Sequence, residues 1–266
     1  MLGKRLLTAL VAIPIILSII IYFKDIGIFF IVLIVIAVAL YEFLSFLYPE
    51  RLNIQIVVHI LLGLLFPIAF FFEYPKFVVP TTAFVFISVM AFSLFRVTDP
   101  KRKAENLFIR IFGIFYIAFL LSFLIALSRI ADGWKWTIMA IAINFCADAG
   151  GYIVGRLFGR HKLYEVISPK KTVEGTMGGI LFSVGIAYAF KYILGLEILG
   201  YWDVLILGLG GGILAVLGDL VESLVKRGFK VKDAGGLLPG HGGFLDRIDS
   251  FVFSLPFIFY YVTSLY

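Results

Sequence analysis

Long apolar runs are the feature that most limits how this chain can fold. Crossing the roughly 30 Å hydrocarbon core of a bilayer takes about 20 helical residues. Hydrophobic residues make up 62% of the sequence and charged residues 15%, which is typical of integral membrane proteins. The runs are continuously apolar instead of alternating, which excludes a transmembrane β-barrel. We predict an all-α polytopic membrane protein with about nine transmembrane helices, near residues 6–23, 26–47, 54–72, 78–96, 107–128, 136–155, 176–195, 201–222 and 249–265.

The basic residues fall mainly on one side of these predicted spans. Nine spans would put the two termini on opposite sides of the bilayer, and the side richer in Lys and Arg is expected to be cytoplasmic. We therefore predict a cytoplasmic N-terminus, cytoplasmic loops at 156–175 and 223–248, and location in the inner (cytoplasmic) membrane. The net charge of +6 follows from this bias and does not indicate a nucleic-acid partner. Of the 23 basic residues, those on the other side are Lys24, Lys76, Arg129, Lys135 and Lys191.

The polar and glycine content of the predicted spans changes near residue 130. Residues 1–130 contain about five spans with few polar residues, whereas residues 131–266 contain about four spans with many glycines and with carboxylates near helix ends. We predict that the second part is the catalytic region. Glycines recur every fourth residue at 151, 155 and 159, the spacing that lets membrane helices approach closely. Such faces are also compatible with a homodimer.

Charged residues concentrate around the end of the eighth run. Charge at a membrane boundary is costly, so such a cluster is by default a functional-site hypothesis. Four residues there share one helical face by their spacing of three, four and seven positions. A glycine-rich segment follows, and glycines allow backbone N–H groups to converge on an anion. The four residues are Asp219, Glu222, Ser223 and Lys226.

Two further elements add carboxylates and bases to the same side. Asp246 and Asp249 open the ninth run three residues apart, and Asp148 lies near the cytoplasmic end of the sixth. Lys170 and Lys171 sit in a turn before the seventh run. Mg²⁺ is usually held by one or two carboxylates, with phosphates and water completing the shell. Nearby Lys and Arg would offset the charge of a phosphoryl transfer, so the pattern indicates magnesium and phosphate chemistry.

Each feature alone has an ordinary explanation. The basic residues after the eighth run suit a positive-inside flank, Asp219 suits a charge at a helix end, and the glycine repeats suit helix packing. Glu42 reads as an interface residue near the end of its run. The coincidence of acidic residues, glycine-rich turns and basic pairs on one side favours a functional site.

A motif in the second half resembles the signature of CDP-diacylglycerol synthases, also called phosphatidate cytidylyltransferases. The match begins at Ser223 and continues to Asp249, ending in the run LPGHGGFLDRID. Asp148 with Tyr152 and Gly155, and the run SPKKTVEG from Ser168, are similar to other characteristic segments of that family. The resemblance covers about 145–250.

This resemblance implies a reaction, a cofactor and a set of residues. The reaction is Mg²⁺-dependent transfer of a cytidylyl group from CTP to phosphatidate in the bilayer, giving CDP-diacylglycerol and pyrophosphate for phospholipid synthesis. The implied metal ligands are Asp148, Asp219, Asp246 and Asp249. The implied catalytic residues are Asp219, Lys226, Arg227, Asp246, Arg247 and Asp249. The implied substrate-binding residues are Asp148, Ser168, Lys170, Lys171, Glu174, Ser223, Lys232, Asp233, Gly240, His241, Gly242 and Gly243.

Two other functions stay open on the residues alone. A CTP-dependent lipid or polyprenol kinase would use similar carboxylates and glycine loops but would transfer the γ-phosphoryl group. An ion-coupled secondary transporter would place an acidic site at broken helices near the midplane. The carboxylates here lie near one boundary instead, which disfavours the transporter.

Overall fold

Helices form nearly all of the chain, as the apolar runs predict. The computed structural model describes residues 2–48, 53–72, 74–95, 99–231, 235 and 243–266, with side chains from residue 14. Within these ranges, six helical segments are long and apolar enough to cross a membrane. The chain is a multi-pass membrane protein of the all-α class. The helices are α1 Leu2–Ser45, α2 Ile54–Phe72, α3 Val78–Ser93, α4 Pro100–Gly113 with a π-helical continuation Ile114–Phe119, α5 Phe123–Ser128, α6 Gly133–Phe158, α7 Val173–Ile193, α8 Tyr201–Gly228 and α9 Asp249–Thr263.

The predicted number of about nine spans is not confirmed, because two of the predicted runs share one helix and two others form helices too short to count as full spans. The first two runs lie within α1, which is interrupted at Lys24, where φ is 48° and ψ is −129°. At 16 and 15 residues, α3 and α9 are shorter than the other membrane-length helices. A 16-residue helix rises only roughly 24 Å, less than the hydrocarbon thickness. Apolar composition indicated membrane burial correctly, but helix length limits which segments can span.

The chain packs as two compact units. One comprises Met1–Arg129 with Ala234–Leu245, and the other comprises Ile130–Asp233 with Asp246–Tyr266. In the first unit, the ring centroids of Phe66 and Phe119 are 5.3 Å apart, and those of Phe70 and Phe123 are 5.0 Å apart. Such edge-to-face contacts join α2 to the segment after α4. The functional division predicted near residue 130 stays a prediction.

In the second unit, α6 and α7 approach each other through glycines. A Cβ atom built at Gly155 would lie 3.4 Å from the Cα of Gly175, and one at Gly151 would lie 3.6 Å from the carbonyl oxygen of Gly175. A Cβ at Gly179 would lie 2.5 Å from the carbonyl oxygen of Ala147. The predicted close helix packing is confirmed, and it brings the C-terminal part of α6 next to the start of α7.

A substitution pair on α7 tests this packing. Gly179→Ala should destabilise the protein by about 1–3 kcal/mol, because the added methyl group meets a backbone atom that must move. Gly185→Ala is the control, since a Cβ there meets no described atom within 4 Å. It should be neutral or stabilising by up to about 1 kcal/mol. Thermal unfolding in detergent measures both, and equal midpoints would show that the α6–α7 spacing tolerates a methyl group.

A short hairpin between α6 and α7 was not predicted. Strand β1, Lys162–Tyr164, pairs antiparallel with β2, Ser168–Thr172. Thr172 caps α7, its Oγ1 accepting from the N–H of Gly175 at 3.1 Å. The Glu174 carboxylate accepts from the backbone N–H groups of Arg160 at 3.1 Å and His161 at 3.2 Å. These contacts hold the hairpin at the N-terminus of α7 and so place the lysine pair that it carries.

Candidate active site

The polar stripe predicted on α8 is present. Ser223 Oγ donates to Asp219 Oδ1 at 3.4 Å, one helical turn away. Lys226 Nζ forms an ion pair with Glu222, also one turn away. Glu222 is only 1% exposed, and its Oε1 has no hydrogen-bond partner among the described residues. The helical spacing of these four residues therefore produces a continuous polar face that enters the protein interior.

The start of α9 and the 3-10 turn Leu245–Arg247 before it supply two more carboxylates. Lys226 Nζ also donates to Asp246 Oδ1 at 2.5 Å, so one ammonium group joins α8 to this turn. Asp249 is 6% exposed, and its electrostatic neighbours include Asp219, Glu222 and Asp148. Gly218 permits this approach, because a Cβ there would collide with the backbone carbonyl of Asp249.

Asp148 joins the cluster from α6. Its Oδ2 accepts from Ser250 Oγ at 3.3 Å, and Asp219, Lys171 and Arg247 are electrostatic neighbours. One turn deeper on both helices, Ser254 Oγ donates to Asn144 Oδ1 at 2.8 Å. These two hydrogen bonds fix the register between α6 and α9, and so the position of Asp148 along α9.

The hairpin contributes basic residues to the same place. Lys171 Nζ pairs with Asp219 Oδ2 at 2.5 Å, and both side chains are about one-quarter exposed. Arg227 Nε donates to the carbonyl oxygen of Ile167 at 3.2 Å, between the strands. The hairpin thus docks on the end of α8 and delivers a cation to the acidic cluster.

The structure brings together eight of the residues predicted for the site. Ser168 is instead paired within the hairpin, Lys170 is exposed, and Glu174 binds the backbone at the end of α6. Gly243 is buried in the first unit. The residues brought together, here called the acidic cluster with its bases, are Asp148, Lys171, Asp219, Ser223, Lys226, Asp246, Arg247 and Asp249. The predicted residues Lys232, Asp233, Gly240, His241 and Gly242 lie outside the described part of the chain.

Two residues of the site had no predicted role. Glu222 was recognised by its spacing on α8, but its burial against Lys226 follows only from the packing. Ser250 follows Asp249 directly and hydrogen-bonds Asp148 across 102 residues of sequence. A serine one residue into an apolar helix carries no sequence signal for such a contact.

The donor set suits a hard divalent cation. Asp249 is buried among other carboxylates, and buried like charges need a compensating cation. The described residues include no group of three or more His, Cys, Asp or Glu side chains already arranged to hold a metal ion. Magnesium does not require one, because it commonly takes one or two protein carboxylates and completes its shell with water and substrate phosphates. The carboxylate oxygens therefore fit Mg²⁺, with Lys171 and Lys226 occupying some of them here.

Comparison with known proteins finds relatives of this chain among the phosphatidate cytidylyltransferases. A phosphatidate cytidylyltransferase of Staphylococcus epidermidis is 46% identical over 128 residues, which are 48% of this chain and 49% of that protein. One of Staphylococcus saprophyticus is 39% identical over 170 residues, 64% of this chain and 65% of that protein. The matched part of the chain thus spans about half to two-thirds of these relatives. The profile of the Cytidylyltransferase family matches residues 3–265, nearly the whole chain, and the protein belongs to that family.

Proposed function

We propose that this protein transfers the cytidylyl group of CTP to phosphatidate, forming CDP-diacylglycerol and pyrophosphate. The observation that carries the proposal is the meeting of four aspartates from α6, α8 and the start of α9 with Lys171, Lys226 and Arg247. The family membership and the names of the relatives support the same reaction.

The residues suit a reaction between two polyanions. An oxygen of the phosphatidate phosphate attacks the α-phosphorus of CTP, the bond from that phosphorus to the β-phosphate oxygen breaks, and pyrophosphate leaves. Phosphatidate is already ionised near neutral pH, so its attacking oxygen needs no dedicated base. Lys171, Lys226 and Arg247 would lower the repulsion between the phosphates and stabilise the charge of the transition state.

Magnesium is the cofactor that we propose for this site. One or two of the four aspartates Asp148, Asp219, Asp246 and Asp249 would hold it, and when bound it would supply positive charge to the phosphate oxygens. Asp246 also accepts from Lys226, which ties the position of this carboxylate to α8. The protein's own contribution is to keep several carboxylates close together despite their mutual repulsion.

The membrane orientation follows from the same proposal. CTP is water-soluble and phosphatidate lies in the bilayer, so the site must be reachable from both. The acidic cluster lies in the C-terminal halves of α6 and α8 and at the start of α9, and the hairpin reaches it through Lys171. We place this end at the cytoplasmic face of the inner membrane, where the basic loops are predicted. The homodimer stays a prediction.

An assay of the purified protein tests the function. With CTP, phosphatidate and Mg²⁺, we expect CDP-diacylglycerol and pyrophosphate in equal amounts, and removal of the metal by a chelator should reduce turnover at least about a thousandfold. Excess Mg²⁺ added back is the control and should restore activity. Release of CDP with a phosphorylated lipid would instead identify a kinase. Gradient-driven uptake into proteoliposomes without nucleotide turnover would identify a transporter.

A further inference from the structure

Glu42 of α1 is a buried carboxylate in a membrane-spanning helix. Its position near the end of an apolar run suggested an interface residue, and that stays a prediction; within the protein its side chain is only 2% exposed. Its Oε2 accepts a hydrogen bond from the backbone N–H of Leu245 at 2.8 Å, across 203 residues of sequence. Burying a carboxyl group is costly unless it is hydrogen-bonded, and the Leu245 N–H supplies one such bond.

Gly235 also lies against the side chain of Glu42. A Cβ atom at Gly235 would lie 2.7 Å from the Cδ of Glu42, so the backbone passes directly over the carboxyl group. Gly235 and Leu245 therefore approach one side chain from two positions ten residues apart. Both residues and Glu42 belong to the first compact unit.

Leu245 opens a short turn that carries two residues of the proposed site. Leu245 is the first residue of the 3-10 turn Leu245–Arg247, and the next two are Asp246 and Arg247. Fixing the Leu245 amide limits where the following two side chains can lie, because the turn is short and its backbone is continuous.

We propose that Glu42 is a positioning residue for this reaction: it fixes the backbone amide of Leu245, and so the start of the 3-10 turn that carries Asp246 and Arg247. The role rests on the proposed function, because it assigns Glu42 to the delivery of two residues of that site. Glu42 itself touches neither substrate nor metal in this role. It acts through the backbone of Leu245.

Two nearly isosteric substitutions separate the hydrogen bond from the volume of the side chain. Glu42→Met removes the acceptor, whereas Glu42→Gln keeps an acceptor oxygen. Amide hydrogen exchange of a peptide containing Leu245, measured by mass spectrometry on the ligand-free protein in detergent, should become about tenfold faster in Glu42→Met and stay within threefold of wild type in Glu42→Gln. Turnover of CTP should fall at least tenfold in Glu42→Met and recover in Glu42→Gln. Glu105→Ala, an exposed carboxylate of the same unit, should change neither quantity.

The outcomes are distinguishable. Unchanged exchange at Leu245 in Glu42→Met, or faster exchange with normal turnover, would overturn the proposal, as would a Glu42→Gln variant as impaired as Glu42→Met. If Glu42→Met does not fold, Glu42→Asp takes its place. The side chain of Asp is one methylene group shorter, so its carboxylate should not reach the Leu245 N–H, and amide exchange at Leu245 should again become faster. If Glu42→Met exchanges faster but the wild-type protein forms no CDP-diacylglycerol, the proposed function is wrong and the anchoring of the Leu245 amide by Glu42 still holds.

Discussion

Replacing Asp219 or Asp246 with alanine should abolish CDP-diacylglycerol formation, with a loss of at least about a thousandfold in kcat, because each removes a charged oxygen donor from a site that works by electrostatic stabilisation. Asp219 joins the α8 stripe to Lys171, and Asp246 joins the 3-10 turn to Lys226. Neither aspartate is among the fully buried residues. The variants should therefore remain folded, as judged by gel filtration and thermal unfolding in detergent.

The control for this pair is Glu165→Ala. Glu165 is an exposed carboxylate between β1 and β2, close in sequence to the bases of the site. It should retain full turnover, which would show that loss of a negative charge near the site is not by itself harmful. Near-normal product formation by purified, folded Asp219→Ala and Asp246→Ala would remove both residues from the catalytic site.

Lys226→Met should reduce both stability and turnover, because Lys226 is the cation shared by Glu222 and Asp246. Removing one partner of a buried ion pair leaves an uncompensated charge, which costs about 3–5 kcal/mol. Glu222 is 1% exposed, so water cannot replace the lost ammonium group. Turnover should fall at least about a hundredfold, since the proposed mechanism also loses a cation that offsets the charge of the phosphates.

The double variant Lys226→Met/Glu222→Gln separates these two effects. Neutralising Glu222 removes the buried charge that Lys226 had compensated, so most of the lost unfolding free energy should return. Turnover should stay low, because the cation is still missing. Thermal unfolding and the pyrophosphate assay measure the two quantities on the same samples. Recovery of turnover together with stability would show that Lys226 serves only to neutralise Glu222.

Local patterns in the sequence determined the class of the protein and part of the site. The lengths of the apolar runs specify membrane helices, because a helix in lipid satisfies its own backbone hydrogen bonds. The spacing of Asp219, Glu222, Ser223 and Lys226 specifies one helical face, because the 3.6-residue period is a local property. The glycines at 151 and 155 likewise indicated the close approach of α6, which the structure shows to be directed at α7.

Only the tertiary structure decided which distant residues meet. Asp148 pairs with Ser250, Lys171 with Asp219, and Glu42 with Leu245, across separations that no periodic pattern encodes. These contacts depend on helix register, on the docking of the β1–β2 hairpin and on where glycines let two backbones touch. The sequence by itself therefore determined a polytopic membrane protein with a polar stripe at one helix end. The assembly of that stripe into a cluster, and the burial of Glu222 and Glu42, came from packing between elements, since burial is a property of the folded chain and not of any single segment.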